Sequence, residues 1–403
     1  MGPVMHVPLG SQDRVGWVQS QGPRQGRHAV VTLVPSLGLF AQLSAAAYTL
    51  KDDYGTSDSF FDKFNFFTDS DPTNGYVSYV DRSTASSGGL IKSGDSVYVG
   101  VDTVNTASTP GRSSVRLEST NTYSHGLVIL DLNHMPGSVC GTWPAFWMLG
   151  SDWPSNGEID IIEGVNDQSV NQMTLHTSDG CSIDNSGFSG SVQTSDCYVK
   201  ATEQSENAGC AITSSSTSDY GDGFNNQGGG VYATEWTGDA ISVWIFPNSS
   251  VPSDISSGSP DPSGWGTPSA KFAGNCDIDS HFNNLQIIYQ VFDITFCGDW
   301  AGDSWTSGTC ASKADTCISY VQNNPSAFDE TYWGINSLKV YQDSSSSSQR
   351  DFHHHAAAHV RRGANEPVSD PNIRRDPSNV RPAPRPTRKH RRDRYKHGHG
   401  HGQ

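Results

Sequence analysis

Three acidic side chains lie close together in the segment NGEIDIIEG: Glu158, Asp160 and Glu163. On an α-helix, Asp160 and Glu163 would be about 60° apart, whereas Glu158 would lie roughly 140° or more from both. On a regular strand, Glu158 and Asp160 share one face and Glu163 points to the other. One extra residue near Ile161 or Ile162, a β-bulge, would return Glu163 to the shared face. The spacing therefore predicts a bulged strand with three carboxyls on one face.

Carboxyls arranged in this way suit one kind of chemistry in particular. Three neighbouring carboxylates repel one another, so at least one of them is expected to hold a proton near neutral pH. A protonated carboxyl beside an ionised one can hydrolyse a glycosidic bond, because the acid protonates the departing oxygen while the carboxylate attacks the anomeric carbon. Calcium coordination and an acidic strand that merely faces solvent are the two other interpretations of the spacing. The spacing by itself leaves all three open.

Aromatic residues precede the acidic segment in GTWPAFWMLG. If this stretch is a strand, Trp143, Ala145 and Trp147 lie on one face, where two indoles beside a small residue could stack against a sugar ring. Two tryptophans buried in a core are the alternative interpretation. His176 in MTLHT and Trp236 in TEWT are candidates for the same site, with a structural role as the alternative for each.

The segment from Tyr48 to about Gln342 has the composition of an all-β protein. Gly, Ser, Asp, Asn and Thr separate short runs rich in Val, Ile, Tyr, Trp and Phe, which is typical of strands joined by turns. TGD (237–239) predicts a hairpin, and LKVY predicts a last strand. The other clearest predicted strands are 75–80, 96–101, 126–132, 241–246 and 285–292. A sandwich or a barrel accounts for this pattern.

Charge is divided unevenly along the 403 residues. Residues 346–403 contain 13 Lys and Arg and 5 Asp and Glu, a net charge of +8, whereas the preceding residues contain 13 and 37, a net charge of −24. An acidic body repels nucleic acid, so we expect no nucleic-acid partner. Residues 343–403 change to a serine run and then to Arg, His and Pro, which predicts a disordered linker and basic tail.

Eight cysteines lie between Cys140 and Cys317 without a CxxC pair, which favours disulfides formed in an oxidising compartment. Residues 1–47 are predicted to be an N-terminal extension and a secretory signal, because an apolar run ends at small residues by Ala47. A buried segment is the alternative. The chain is therefore expected to be secreted and free of membrane partners, with Asn248 in NSS as a glycosylation site.

Taken together, these motifs resemble those of the family 16 glycoside hydrolases, especially the secreted fungal endo-β-glucanases. The resemblance covers roughly residues 48–342, the predicted catalytic domain. It rests on NGEIDIIEGVND together with SVRLES, HMP, GTWPAFW, QMTLHT, EWT and YWGINSLKVY, which occur in the family's order. The resemblance implies a concanavalin A-like jelly-roll sandwich of two curved antiparallel sheets, with an open cleft across the acidic strand.

The resemblance also implies roles for individual residues. Glu158 would be the nucleophile, Glu163 the general acid and then base, and Asp160 the assisting carboxylate between them. The implied substrate-binding residues are Trp143, Trp147, His176, Trp236, Arg116, Asn74 and Tyr76.

The implied activity is retaining endo-hydrolysis of β-1,3-glucan, of mixed β-1,3/1,4-glucan, or of both, by a monomer without a cofactor. Whether a structural calcium ion lies away from the cleft is left open. One alternative is a cell-wall glucan transglycosylase that uses the same acids, although such relatives usually show the shorter spacing E-x-D-x-E. Another alternative is a lectin-like module that binds glucan without cutting it.

Overall fold

The computed structural model of the chain describes residues 48–282 and 288–343. Twenty strands lie in this part of the chain: β1 Tyr48–Asp53, β2 Phe64–Phe66, β3 Val77–Tyr79, β4 Ile91–Lys92, β5 Val97–Gly100, β6 Arg112–Ser114, β7 Leu117–Ser119, β8 Gly126–His134, β9 Thr142–Gly150, β10 Glu158–Glu163, β11 Gln172–His176, β12 Ser182–Ile183, β13 Ser191–Val192, β14 Cys210–Thr213, β15 Gly230–Trp236, β16 Ile241–Pro247, β17 Ala270–Phe272, β18 Gly274–Asn275, β19 Ile288–Phe296 and β20 Tyr332–Asp343.

Helices are short by comparison. The α-helices of the described chain are α1 Arg82–Ser87, α2 Gly221–Asn226, α3 Ser253–Ser257, α4 Ile278–His281 and α5 Cys317–Asn323. One π-helical turn, Gly298–Gly302, follows β19 after the single residue Cys297. None of the helices in the described ranges is both long and apolar enough to cross a membrane.

The strands form two large antiparallel sheets. The first sheet has the order β17-β16-β15-β8-β20-β5-β4, with β1 also paired to β20. The second has the order β13-β14-β11-β10-β9-β19-β7-β2. The remaining pairs are β12 with β18 and, in parallel, β3 with β6. The predicted all-β jelly-roll sandwich is confirmed, and β10, which carries the three acids, lies near the middle of the second sheet.

Alternation along the strands explains how the sheets pack. Val128 and Leu130 of β8 belong to the same buried cluster as Phe146 and Met148 of β9 and Ile159 of β10, so one face of each sheet forms the main core. A smaller apolar cluster covers the opposite face of the first sheet and consists of Leu127, Ile129, Val231, Ala233 and Tyr341. Because only one face of the second sheet packs in the main core, its other face is available for a cleft.

The predicted strands and hairpin agree with the structure apart from their ends. The segment predicted at 126–132 is β8, and the one predicted at 241–246 is β16. Trp236 pairs with Ile241 across the turn that contains TGD. The last strand, β20, begins at Tyr332, six residues before the predicted LKVY.

All eight cysteines form disulfides, as predicted from their even number: Cys140–Cys310, Cys181–Cys276, Cys197–Cys210 and Cys297–Cys317. Cys140–Cys310 attaches the segment after β19 to the start of β9, and Cys297–Cys317 closes a loop within that segment. The predicted signal peptide at 1–47 and the predicted tail after residue 343 lie outside the described residues.

Candidate active site

The acidic strand β10 contains the predicted bulge. Opposite β9, Asp160 pairs with Trp147 and Ile162 pairs with Phe146, so the register passes over Ile161. Both isoleucines are fully buried in the core. The extra residue shifts Glu163 back to the face that Glu158 and Asp160 share, and the bulge prediction is therefore confirmed.

The side chain of Asn171 holds the bulge in place. Its Nδ2 donates to the carbonyl oxygen of Ile161 at 2.8 Å, and its Oδ1 accepts from the backbone N–H of Glu163 at 3.1 Å. Asn171 is fully buried, so these two bonds replace backbone pairing that the bulge interrupts. Sequence reasoning missed this residue, which precedes β11 and is eight positions beyond Glu163.

Cross-strand pairing gives each acid its neighbours. Glu158 pairs with Leu149 on one side and His176 on the other. Asp160 pairs with Trp147 and Thr174. Glu163 pairs with Ala145 and Gln172. Directly paired residues project to the same face of a sheet, so three adjacent strands form one floor that carries the acids.

Above this floor lies a cavity of about 810 Å³. It is bordered by the three acids and by indoles from four tryptophans. Its principal lining residues are Trp143, Trp147, Trp153, Trp300, Glu158, Asp160, Glu163, His176, Gln172, Arg116, Asp293 and Asp71. A cleft with aromatic walls and a row of carboxyls at its base is suited to a sugar polymer, since indole faces pack against the apolar faces of sugar rings.

The acids influence one another's ionisation. Burial, followed by the charge of Asp160, raises the pKa of Glu158 to about 8 and that of Glu163 to about 8. Burial also raises the pKa of Asp160 well above its usual range. His176 partly opposes the rise in the pKa values of Glu158 and Glu163; its Nε2 lies 3.8 Å from Glu158 Oε1 and 3.3 Å from Asp160 Oδ2. The cluster thus retains protons near neutral pH, as acid catalysis at a glycosidic oxygen requires.

Two predicted residues form specific contacts with the site. Trp143 donates its indole N–H to Glu163 Oε1 at 2.8 Å. The guanidinium of Arg116 lies 5.0 Å from the ring centroid of Trp147 and is 2.8 Å from Glu118 Oε1. Arg116 thus packs over an indole of the cleft wall and forms its ion pair with Glu118.

Asp293, Trp153 and Trp300 also border the cavity, and sequence reasoning missed all three. Asp293 accepts hydrogen bonds from Trp147 Nε1 and Tyr79 Oη, each at 3.1 Å. Its signal was available in VFDITF, where a polar residue alternates with buried apolar ones. Trp300 lies in the π-helical turn and packs edge-on against Trp143 with ring centroids 5.6 Å apart.

The prediction that Trp236 binds substrate is wrong. Trp236 is only 3% exposed and lies on β15 in the first sheet, where it packs against His125 and Phe282. The other sheet lies between it and the cleft, so it cannot touch a ligand there. Period-two alternation identifies the buried face of a strand but not the sheet to which the strand belongs.

Asn74 and Tyr76 are not among the residues that border the cavity. Asn74 is exposed, and its Nδ2 lies 3.0 Å from both carboxylate oxygens of Asp299, a residue that does line the cavity. Tyr76 is half-buried and packs against the main core. Asn74 therefore contacts a residue of the cavity lining, and substrate binding by Asn74 and Tyr76 stays a prediction.

The donor atoms of Glu158, Asp160 and His176 lie within 4.8 Å of one another. Calcium takes six to eight oxygen ligands, and a group of two carboxyls and an imidazole supplies few of them. The raised pKa values of both carboxyls also favour protonated oxygens over ionised ligands. Among the described residues, this cluster therefore fits proton transfer better than calcium binding.

A β-sandwich whose cleft floor carries three coupled carboxyls defines a glycoside-hydrolase type of site. Residues 64–341 match the family model described as the XgeA-like catalytic GH16 domain. The chain belongs to glycoside hydrolase family 16.

Curated relatives agree with this assignment. The chain is 52% identical over 311 residues to an endo-1,3(4)-β-glucanase of Arthroderma benhamiae, covering 76% of this chain and 67% of that protein. It is 44% identical over 326 residues to endo-1,3(4)-β-glucanase xgeA of Emericella nidulans, covering 78% and 50%. The chain thus spans two thirds of the first relative and half of the second.

Solved structures give the same result. An elongating GH family 16 β-1,3-glucosyltransferase is 48% identical with a TM-score of 0.68, covering 73% of this chain and all of that one. Laminarinase 16A from Phanerochaete chrysosporium, with 6-O-glucosyl-laminaritriose in its donor and acceptor sites, is 43% identical with a TM-score of 0.69. The match covers 74% of this chain and all of that one.

Proposed function

We propose that the chain catalyses retaining endo-hydrolysis of β-1,3-glucan, mixed β-1,3/1,4-glucan, or both. The observation that carries the proposal is the bulged strand β10, which places Glu158, Asp160 and Glu163 along the floor of an aromatic cleft. The names of the curated relatives, which include endo-1,3(4)-β-glucanases, support this substrate class. A cleft that runs along a sheet face suits internal cutting of a long polymer.

In the proposed mechanism, the ionised carboxylate of Glu158 attacks the anomeric carbon and forms a covalent glycosyl ester. Glu163 donates its proton to the departing glycosidic oxygen as that bond breaks. Glu163 then takes a proton from a water molecule, which attacks the anomeric carbon and releases Glu158. Asp160 between them disfavours a second negative charge and so keeps one proton in the cluster.

Trp143, Trp147, Arg116 and His176 are the proposed substrate-binding residues. The two indoles lie on the same face of β9 as Ala145, which leaves space between them for a sugar ring. His176 lies beside Glu158 and Asp160 on the floor of the cleft, where its imidazole could contact a sugar bound over these acids.

We propose further that residues 48–342 form the catalytic domain and that the protein acts outside the cell as a monomer without a cofactor. Four disulfides support an oxidising compartment. Asn248 lies exposed in the turn after β16, where an attached oligosaccharide would project into solvent. Its glycosylation stays a prediction.

Product analysis tests the proposal. Laminarin, lichenan and chitin are each incubated with the protein, and proton NMR follows the first anomer released. We expect shortened glucans with the β-anomer appearing first, and chitin left intact. Glu158→Gln should abolish the reaction, whereas Glu330→Gln, an exposed glutamate beside His134, should leave it unchanged. The α-anomer as first product would overturn retention.

A glucan transglycosylase is the second candidate function. It is favoured by the similarity to the elongating GH family 16 β-1,3-glucosyltransferase. Chromatography of the oligosaccharides separates the two functions, since transfer to a sugar hydroxyl gives products longer than the substrate. Bound glucan whose length does not change would instead support a lectin-like module.

A further inference from the structure

Asp293 stands opposite Glu163 across the floor of the cleft. Ala145 of β9 pairs with Asp293 of β19 on one side and with Glu163 of β10 on the other. The three residues therefore project to one face, with the two acids separated by two strand spacings, about 10 Å between their Cα atoms. Ala145, the residue between the two acids in this row, has only a methyl side chain.

The carboxyl of Asp293 has a defined set of partners. Its Oδ1 accepts from Trp147 Nε1 and its Oδ2 accepts from Tyr79 Oη, each at 3.1 Å, and the residue is 7% exposed. Trp147 pairs with Asp160 in the adjacent row of the same floor. An indole held at its N–H is fixed in rotation, so Asp293 determines how Trp147 faces the cleft.

Charged groups surround Asp293 on several elements. Asp71 precedes β3 and reaches Thr295 Oγ1 at 3.3 Å, Tyr79 lies on β3, and Asp160 and Glu163 lie on β10. Arg116 is the cation facing it, and Glu118 of β7 partly neutralises that cation at 2.8 Å. Acidic groups thus outnumber the two basic groups around the floor, Arg116 and the imidazole of His176 on β11. The charge of Asp293 adds to burial in raising the pKa values of Asp160 and Glu163.

We propose that Asp293 is a positioning residue of the active site, which orients the Trp147 indole and, by its negative charge across Ala145, keeps Glu163 protonated for acid catalysis. The proposal rests on the proposed role of Glu163. A purely structural aspartate would hold Trp147 and Tyr79 in the same way but would have no effect on proton transfer.

The test uses Asp293→Asn in the full chain. Asparagine can accept from Trp147 with its oxygen and donate to Tyr79 with its amide, so the shape and both hydrogen bonds are kept while the charge is removed. Removing a nearby negative charge lowers the pKa of Glu163. We expect the alkaline limb of the kcat/KM profile to move to lower pH by about half a unit to one unit.

The profiles of wild type and variant should converge on the acid side. Burial raises the pKa of Asp293 itself to about 6, so below that pH the wild-type residue is protonated and the substitution changes little. A uniform loss of kcat/KM at every pH, with the alkaline limb in place, would show a structural role only. Asp131→Asn, on the outer face of the first sheet, is the matched control and should shift nothing.

A second readout does not depend on activity. Carbon-13 NMR of labelled glutamate carboxyls, with Glu163 assigned from Glu163→Gln, should show a lower titration midpoint for Glu163 in Asp293→Asn. An unchanged midpoint overturns the proposal, whereas inactivity of the wild type on glucans overturns the proposed function alone. If Asp293→Asn does not fold, Tyr79→Phe removes one donor to Asp293 and should move the midpoint in the same direction by less.

Discussion

The carboxyls of the cleft differ more in their contacts than in their pKa values. The pKa values of Glu158 and Glu163 are both raised to about 8, first by burial and then by the charge of Asp160. Glu163 accepts a hydrogen bond from Trp143, whereas Glu158 lies beside His176. Two strongly interacting groups lose their protons as a pair, so their pKa values do not separate nucleophile from acid. Substrates that differ in their leaving groups can distinguish the nucleophile from the acid.

Substrates with different leaving groups should separate the two glutamates. On a glucan, Glu158→Gln and Glu163→Gln should each lower kcat by at least about a hundredfold. On an aryl β-glucoside with a dinitrophenyl leaving group, Glu163→Gln should still form the glycosyl ester at close to the wild-type rate, because that leaving group departs without a proton. Glu158→Gln should remain inactive, since the nucleophile is missing.

Burst kinetics measures this difference directly. Glu163→Gln should release one equivalent of dinitrophenol rapidly and then turn over slowly, because the base that activates water is also absent. Glu330→Gln serves as the control for the substitution itself. Equal loss by both variants on the aryl substrate, or a burst from Glu158→Gln instead, would contradict the proposed roles.

At the scale of one element, the bulge in β10 is what brings Glu163 to the other acids. Its presence followed from the sequence because the alternative, a lone carboxyl facing the core, is unfavourable. The amide of Asn171, which stabilises the bulge, did not follow, because a side chain's partner in another segment depends on tertiary packing. Asp293 lies 130 positions beyond Glu163 and reaches it only through the pairing of β19 with β9. Pattern reasoning thus found the residues on β9 and β10 and missed those contributed by other parts of the fold.

Asn171→Ala should loosen the bulge while leaving the acids in the sequence. The variant leaves the N–H of Glu163 and the carbonyl of Ile161 buried without their present partner, which should lower the free energy of unfolding by about 2–4 kcal/mol. Because Glu163 then moves relative to Glu158, kcat should fall by about a hundredfold with KM nearly unchanged.

Urea unfolding and steady-state kinetics together check this effect. Asn133→Ala, in which the lost amide lies at the surface and bonds to Asn336, is the matched control and should change neither quantity appreciably. Full activity in Asn171→Ala would show that the backbone alone maintains the bulge.

At the scale of the whole molecule, a destabilised cleft is carried by an otherwise well-packed sandwich. The core between the sheets is continuous, and four disulfides restrict the unfolded chain. The acid cluster works in the opposite direction, since each carboxyl there ionises less readily than it would in the unfolded chain. We therefore expect that the acid cluster lowers the stability of the folded protein while it supports activity. The change in unfolding free energy with pH should measure this cost.

The unfolding free energy should fall as pH rises from about 4.5 to about 8. In this window the folded cluster, in which the pKa values of Glu158 and Glu163 are raised to about 8, holds more protons than the same carboxyls do in the unfolded chain, so unfolding releases protons. Below the pKa of glutamate in the unfolded chain, these carboxyls are protonated in both states and do not lower the unfolding free energy. Glu163→Gln removes one such group, and its stability relative to the wild type should therefore increase by about 1–3 kcal/mol between pH 5 and pH 8.

Comparing variant with wild type at each pH separates this contribution from those of all other titrating groups. Urea unfolding at pH 5 and pH 8 measures the difference, and Glu330→Gln, whose side chain is 70% exposed, should show none. The gain in stability should be accompanied by loss of glucan cleavage. The carboxyl that keeps its proton in the folded protein, at a cost in stability, is the one that protonates the leaving group. A Glu163→Gln variant that is no more stable at pH 8 than at pH 5, relative to wild type, would mean that Glu163 ionises freely in the folded cleft and that the proposed acid lacks its proton.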